Sequence, residues 1–284
     1  MWMLQVLLYG LFKGAREIVK KKSLGRSSVL EVLFFYTLFG FLMVCPDAGN
    51  AGGVPLSQMG WIALKSFVIF VAWMCSFKAI KKMPISLYGI LDLSRVLFAM
   101  LLATLVLHET LTQYQMIGLA LVCLGLLMLK GMPWKKKPKA EKEKVKPVIV
   151  MLAFVSCLLN AFSGLLDKIL MKDMTSSQLQ FWYMLYLVLF YLVYIIVSRT
   201  KIRIVQSLKN PWIWLLAILF IIADRSLFLA NADPGSKISV MTLIKQSGCL
   251  VTILGGKFIF HEKNIRHKLI CAAVIVSGIV IAVL

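Results

Sequence analysis

Apolar residues run along this chain in stretches of about twenty, separated by short polar turns that hold most of the charge. A helix crossing a hydrocarbon core of about 30 Å needs roughly that many apolar residues. Ten such stretches are legible, near residues 1–19, 29–45, 61–79, 85–107, 114–129, 148–170, 179–197, 212–232, 238–260 and 267–284. The first and third carry charged residues within the run. Between the fifth and sixth lies a lysine-rich linker, 131–147, the one clear boundary in the chain.

Two of the apolar hairpins read as copies of one another. At an offset of 153, Ile85 falls on Ile238, Ser94 on Ser247, Leu97 on Leu250, and His108-Glu109 on His261-Glu262. Beyond that turn Ile117 meets Ile270, Ala120 meets Ala273 and Gly125 meets Gly278. The likeness reaches the opening spans, where Phe12, Gly14 and Glu17 align with Phe162, Gly164 and Asp167 at an offset of 150. Five spans per copy is an odd number, so the second copy must enter the bilayer upside down relative to the first. The expected architecture is an all-α integral membrane protein of ten transmembrane helices. They form two inverted five-helix repeats, 1–130 and 148–284, joined by the linker.

Composition agrees with that picture, since 60% of the 284 residues are hydrophobic. A net charge of +20 would suggest nucleic acid in a soluble protein. Here the basic residues crowd the loops after alternate spans, so topology accounts for them and no nucleic-acid partner is expected. The positive-inside rule then places the linker in the cytosol and both termini outside, in a multi-pass protein of the cytoplasmic membrane. The six cysteines lie in or at the ends of apolar runs, without metal-ligand spacing, and read as free thiols. The N-terminal run lacks the basic leader and cleavage site of a signal peptide and is read as the first span. Without a phosphate-cradling loop or a nucleophile elbow, neither enzyme chemistry nor a metal or cofactor is expected.

The segment Leu107-His108-Glu109-Thr110-Leu111-Thr112, followed by Ile117-Gly118-Leu119, resembles the EamA-type drug/metabolite transporter superfamily. The shared pattern is an acidic residue in a short turn, then an Ile-Gly-rich helix. It recurs at Phe260-His261-Glu262, with Cys271 in place of the glycine and Lys263-Asn264 in place of Thr-Leu. The resemblance implies a five-plus-five layout over the whole chain and transport of a small solute. It also implies cytosolic termini, against the charge distribution.

Ionisable residues inside a span cost about 2.5–3.5 kcal/mol each on insertion scales, so each needs a reason. The deepest are Asp92 and Arg95 in the fourth span, Asp224 and Arg225 in the eighth, and Lys245 in the ninth. Asp92 and Lys245 hold matching positions, each about 12 Å in from opposite faces at 1.5 Å per residue. Both are therefore expected at a central cavity, near enough to interact. Arg95 shares the helical face of Asp92. Whichever cation pairs with Asp92, the other is left for a substrate carboxylate or phosphate, unless all three form a static network. Asp224 is a candidate for proton coupling, and Tyr88 and Trp182 are the expected aromatic walls. Glu17 and Glu31 read as snorkelling or surface-paired. His108, Glu109, His261 and Glu262 read as structural turns that orient the fifth and tenth helices.

These features point to a secondary transporter that moves a small polar metabolite by alternating access, with export as the expected direction. An amino acid or another zwitterionic or carboxylate-bearing solute fits the mixed charges. Two alternatives stay open: efflux or uptake of a cationic amphiphile or quaternary amine, and a non-transporting membrane enzyme or scaffold. The expected partners are the small-molecule substrate and the lipid bilayer; monomer and homodimer are both compatible with the sequence.

Overall fold

The computed structural model describes residues 2–108, 111–130, 145–262 and 265–283, and within them every regular element is helical. The first half opens with α1 (Trp2–Leu24), α2 (Val29–Val44) and α3 (Leu56–Lys82). A broken helix follows: α4 (Ile85–Leu91), a 3-10 turn at Asp92–Ser94, and α5 (Arg95–Val106). The half ends with α6 (Gln113–Lys130). The second half contains α7 (Pro147–Leu170), α8 (Ser176–Val197), the five-residue α9 (Ile204–Leu208) and α10 (Pro211–Ala232). A second broken helix runs through α11 (Ile238–Ile244), a 3-10 turn at Lys245–Ser247, and α12 (Gly248–Phe258), before α13 (Ile265–Val283).

Local chemistry sets these limits. Ser28 and Glu31 form a capping box at the head of α2, as Thr175 and Gln178 do at α8. Thr112 and Gln115 exchange the same pair of bonds before α6. Pro147 and Pro211 each stand in the first turn of their helices, where a missing N–H costs nothing. Met83 precedes Pro84 and is held extended at φ −132°, ψ 160°, which ends α3. Neither α9 nor the two 3-10 breaks is legible from apolar periodicity.

The aligned residues of the two halves also share backbone features. Both 3-10 turns begin at the aligned pair Asp92 and Lys245. Both following turns pivot on a left-handed histidine, His108 at φ 53° and His261 at φ 51°. The helix contacts repeat too. α1 lies along α10 as α3 lies along α7; α12 packs on α1 as α5 packs on α7. α4 meets α12 as α11 meets α5, and α2 meets α10 as α8 meets α3. Exchanging each helix with its counterpart in the other half maps these contacts onto one another.

Small residues allow the closest crossing. A Cβ on Gly248 would stand 2.3 Å from the carbonyl oxygen of Gly10, and one on Gly14 would stand 2.5 Å from the carbonyl oxygen of Gly248. The head of α12 therefore meets α1 backbone to backbone, the small-xxx-small contact of helices that lack a hydrophobic driving force between them. Elsewhere Tyr36, Trp73 and Phe220 join α2, α3 and α10, with ring centroids 5.0–5.3 Å apart. Leu4, Leu105, Met151, Val193 and Ile222 face outward, as lipid-facing side chains do.

Six helices are long and apolar enough to cross a membrane: 29–50, 56–82, 85–106, 147–170, 176–197 and 211–232. The protein is a multi-pass membrane protein. By composition α1 is too charged to count among the six, yet Lys13, Arg16, Glu17 and Lys20 are all buried within the fold. Most of the linker (131–144), together with Glu109, Lys263 and Asn264, lies outside the described residues.

Candidate functional site

Where α1, α3, α7, α8 and α10 face the broken helices, they line a cavity of about 80 Å³ that is partly open to solvent. Both halves build it. From α1 come Tyr9, Lys13, Arg16, Glu17 and Lys20, whose spacings of four, three, one and three put them on one helical face. The remaining wall includes Lys65 and Trp73 of α3, Tyr88 of α4, Asp167 of α7, Tyr183 of α8 and Asp224 of α10. Arg95 and Lys245 enter from the two helix breaks.

Each carboxylate here has a cation. Asp92 sits just behind the wall, its two oxygens taken by Lys13 Nζ at 2.5 Å and Arg95 Nη2 at 2.7 Å. Glu17 is gripped by Lys20 Nζ at 2.7 and 2.9 Å. Lys65 Nζ stands 3.0 Å from Asp167 and 3.8 Å from the centre of the Tyr183 ring. Asp224 accepts a hydrogen bond from the Tyr183 hydroxyl, and Arg16 Nη1 stays 3.9 Å away. Removing two charges from water is costly unless geometry and hydrogen bonds compensate.

That compensation is incomplete at the wall. Arg16 Nε and Nη1, Arg95 Nε and Asp167 Oδ1 are buried without a hydrogen-bond partner. For Asp167 the 3.0 Å ion pair and the missing hydrogen bond describe one contact, close in distance and poorly aligned in angle. Lys245 has no carboxylate within 4 Å among the described residues; its Nζ lies 5.7 Å from the centroid of the Tyr9 ring. Buried donors left open in a native fold call for a ligand or water.

The residues expected from sequence divide in two. Asp92, Arg95, Tyr88, Asp224 and Lys245 gather at or directly behind this cavity. Tyr88 also bonds Ser76 Oγ at 2.8 Å. Asp92 and Lys245 form no ion pair, contrary to the expectation that they interact, because Lys13 and Arg95 saturate the aspartate first. Trp182 and Arg225 lie elsewhere. The Trp182 indole donates to the Ala51 carbonyl at 2.9 Å, fixing the loop after α2. Arg225 holds the same region through Asp47 at 3.1 Å and Ser177 at 2.8 Å.

The His-Glu turns also need correction. Glu262 orients the fourth span rather than the tenth alone. It accepts from the backbone N–H groups of Ile85 at 2.6 Å and Ser86 at 3.2 Å, capping α4 of the other half, and from the Ser86 hydroxyl. Lys268 of α13 pairs with it at 3.2 Å. Burial would raise the Glu262 carboxyl, but these partners outweigh it and hold the group below the usual glutamate range.

Sequence reasoning missed the α1 stripe. Glu17, read as a surface group, is 6% exposed and lines the cavity beside Lys13 and Arg16. Glu31, read the same way, is buried and bonds Arg203 at 3.0 Å. The signal was present as charges recurring every three to four residues through an otherwise apolar helix. Lys65, isolated mid-span, carried a similar flag.

Among curated proteins none matches the chain. Among solved structures, a crystal structure of a protein superposes with TM-score 0.70 at 15% identity, covering 99% of this chain and 96% of its own. That likeness concerns the fold alone. Residues 1–130 match the model of the EamA-like transporter family, which bears out the resemblance drawn from the sequence.

Proposed function

We propose that this protein is a secondary transporter of ten transmembrane helices in two inverted halves, moving a small carboxylate-bearing polar solute by alternating access. One observation carries the reading: a charged and aromatic cavity assembled from both halves and partly open to solvent, with open hydrogen-bond donors at its wall. Two supports stand beside it. The principal helix contacts pair off when the halves are exchanged, as an inverted pair of repeats would produce. The two broken helices meet the cavity at their breaks, where discontinuous helices of transporters present binding groups. Lys21, Lys81, Lys82 and the linker end at Val145 share one face, and the positive-inside rule makes that face cytosolic.

The quaternary-amine alternative is disfavoured, because Glu17, Asp92, Asp167 and Asp224 each already have a cation within 4 Å. Counterflow in proteoliposomes tests the proposal, using labelled amino acids, organic acids and quaternary amines. Accumulation of at least one carboxylate-bearing solute is expected; flux of choline alone, or of no solute, would overturn the reading.

A further inference from the structure

The charges at this cavity do not cancel. Six cations line it: Lys13, Arg16, Lys20, Lys65, Arg95 and Lys245. Against them stand Glu17, Asp167 and Asp224 at the wall, and Asp92 behind it. Two positive charges are left over. One arises because Lys13 and Arg95 share a single carboxylate. The other is Lys245, which has no ion pair within 4 Å among the described residues and lies 5.7 Å from the Tyr9 ring centroid. An uncompensated charge at a largely buried wall is unfavourable, even where the cavity is partly continuous with solvent.

Hydrogen bonding gives a second, independent sign. Arg16 is 8% exposed, lines the cavity, and leaves Nε and Nη1 without partners. Its nearest carboxylate, Asp224, lies 3.9 Å off and already accepts from Tyr183. A guanidinium offers its donors in a planar fork that matches a carboxylate or phosphate edge. Arg16 and Tyr9 are seven residues apart on one face of α1, about 10 Å along the axis. Lys245 stands at the Tyr9 end. The two open cationic groups therefore sit toward opposite ends of one wall.

We propose that the transported solute is a dianion, a dicarboxylate or a phosphate monoester, held between Arg16 and Lys245. This rests on the transporter reading and narrows it, since a zwitterion brings no net charge and would leave the excess in place. The shared chemistry is two negative charges on one small molecule, whether on two carboxylates or on one phosphate.

Binding to the detergent-purified full chain tests this at constant ionic strength, at a pH where phosphate is doubly charged. The probes are succinate, inorganic phosphate, acetate, glycine and choline. Succinate or phosphate is expected to bind at least about tenfold more tightly than acetate or glycine, and the better of the two tells separated from compact charge. Arg16→Gln and Lys245→Gln should each weaken that probe by roughly thirtyfold or more, the loss typical of truncating one member of a buried charge pair. Glycine binding as tightly as both dianions would overturn the dianion proposal and leave the transporter reading standing. Dianion affinity unchanged in both variants would overturn the assignment of Arg16 and Lys245. If no probe binds while proteoliposomes accumulate an amino acid, the dianion proposal alone falls; if nothing binds and nothing moves, both fall. Should Arg16→Gln fail to fold, the order of the probes on the unaltered protein still decides.

Discussion

The two broken helices share a backbone and differ in charge. Each is cut by a three-residue 3-10 turn at an aligned position, and each runs on to a left-handed histidine. The first turn opens on Asp92, buried and gripped by Lys13 and Arg95. The second opens on Lys245, half-buried and with no carboxylate within 4 Å among the described residues. Three residues on, the contrast repeats: Arg95 stands in the first half where Gly248 stands in the second. Its side chain reaches Asp92, whereas Gly248 admits the backbone of α1. The geometry is shared and the charge is not. At the first break ion pairs tie the helices together, with Arg95 reaching the cavity wall, whereas the second presents Lys245 to the cavity without an ion pair within 4 Å among the described residues.

The largest effect should separate the two breaks directly. Asp92→Ala strands Lys13 and Arg95, and is expected to cost about 3–5 kcal/mol of stability. Lys245→Met, which removes a buried charge without stranding a partner, should leave stability unchanged or raised. Unfolding in mixed detergent measures both, and equal losses would erase the distinction drawn between them.

Aligned glycines sharpen the same contrast. Gly14→Ala forces a methyl against Gly248 and should cost about 1–3 kcal/mol. Its counterpart Gly164 has nothing within 4 Å of a built Cβ, so Gly164→Ala should be neutral or gain up to about 1 kcal/mol of helix propensity. A similar loss in both would mean that the close crossing is not confined to α1.

Glu262→Gln weakens the cap that the second copy places on α4, at about 1 kcal/mol. Because the folded carboxyl is held below its ordinary value, this contribution is complete above the usual glutamate range. It fades as pH falls through the lower folded value. Melting temperatures of the variant and the original should therefore converge only in strong acid; convergence near neutrality would contradict the sign. Trp182→Phe should have the smallest effect, about 1 kcal/mol or less for one hydrogen bond, with solute flux intact. Lost flux would bring that loop into the site.

The helical, multi-pass character was legible because span length is a one-dimensional signal. The breaks were not, since Asp92 and Lys245 sit in runs whose apolar pattern is continuous across the 3-10 turns. The site was half legible. Mid-span charges at the two helix breaks and in α10 stood out against apolar neighbours, whereas those of α1 were discounted by proximity to Lys20-Lys21-Lys22, a run that also marks a helix end. Trp182 was misread because an aromatic at a helix start serves a loop carbonyl as readily as a substrate ring. Partner choice was beyond the sequence: nothing along the chain says that Lys13, 79 residues away, reaches Asp92 ahead of Lys245.

The central claim is that an unpaired cation at the second break does the binding, while its paired counterpart only holds the helices. Counterflow by Lys245→Met in proteoliposomes tests it most directly, beside the unaltered protein at matched folded content. A folded variant with flux near background is the predicted result. Flux equal to that of the unaltered protein would contradict the account.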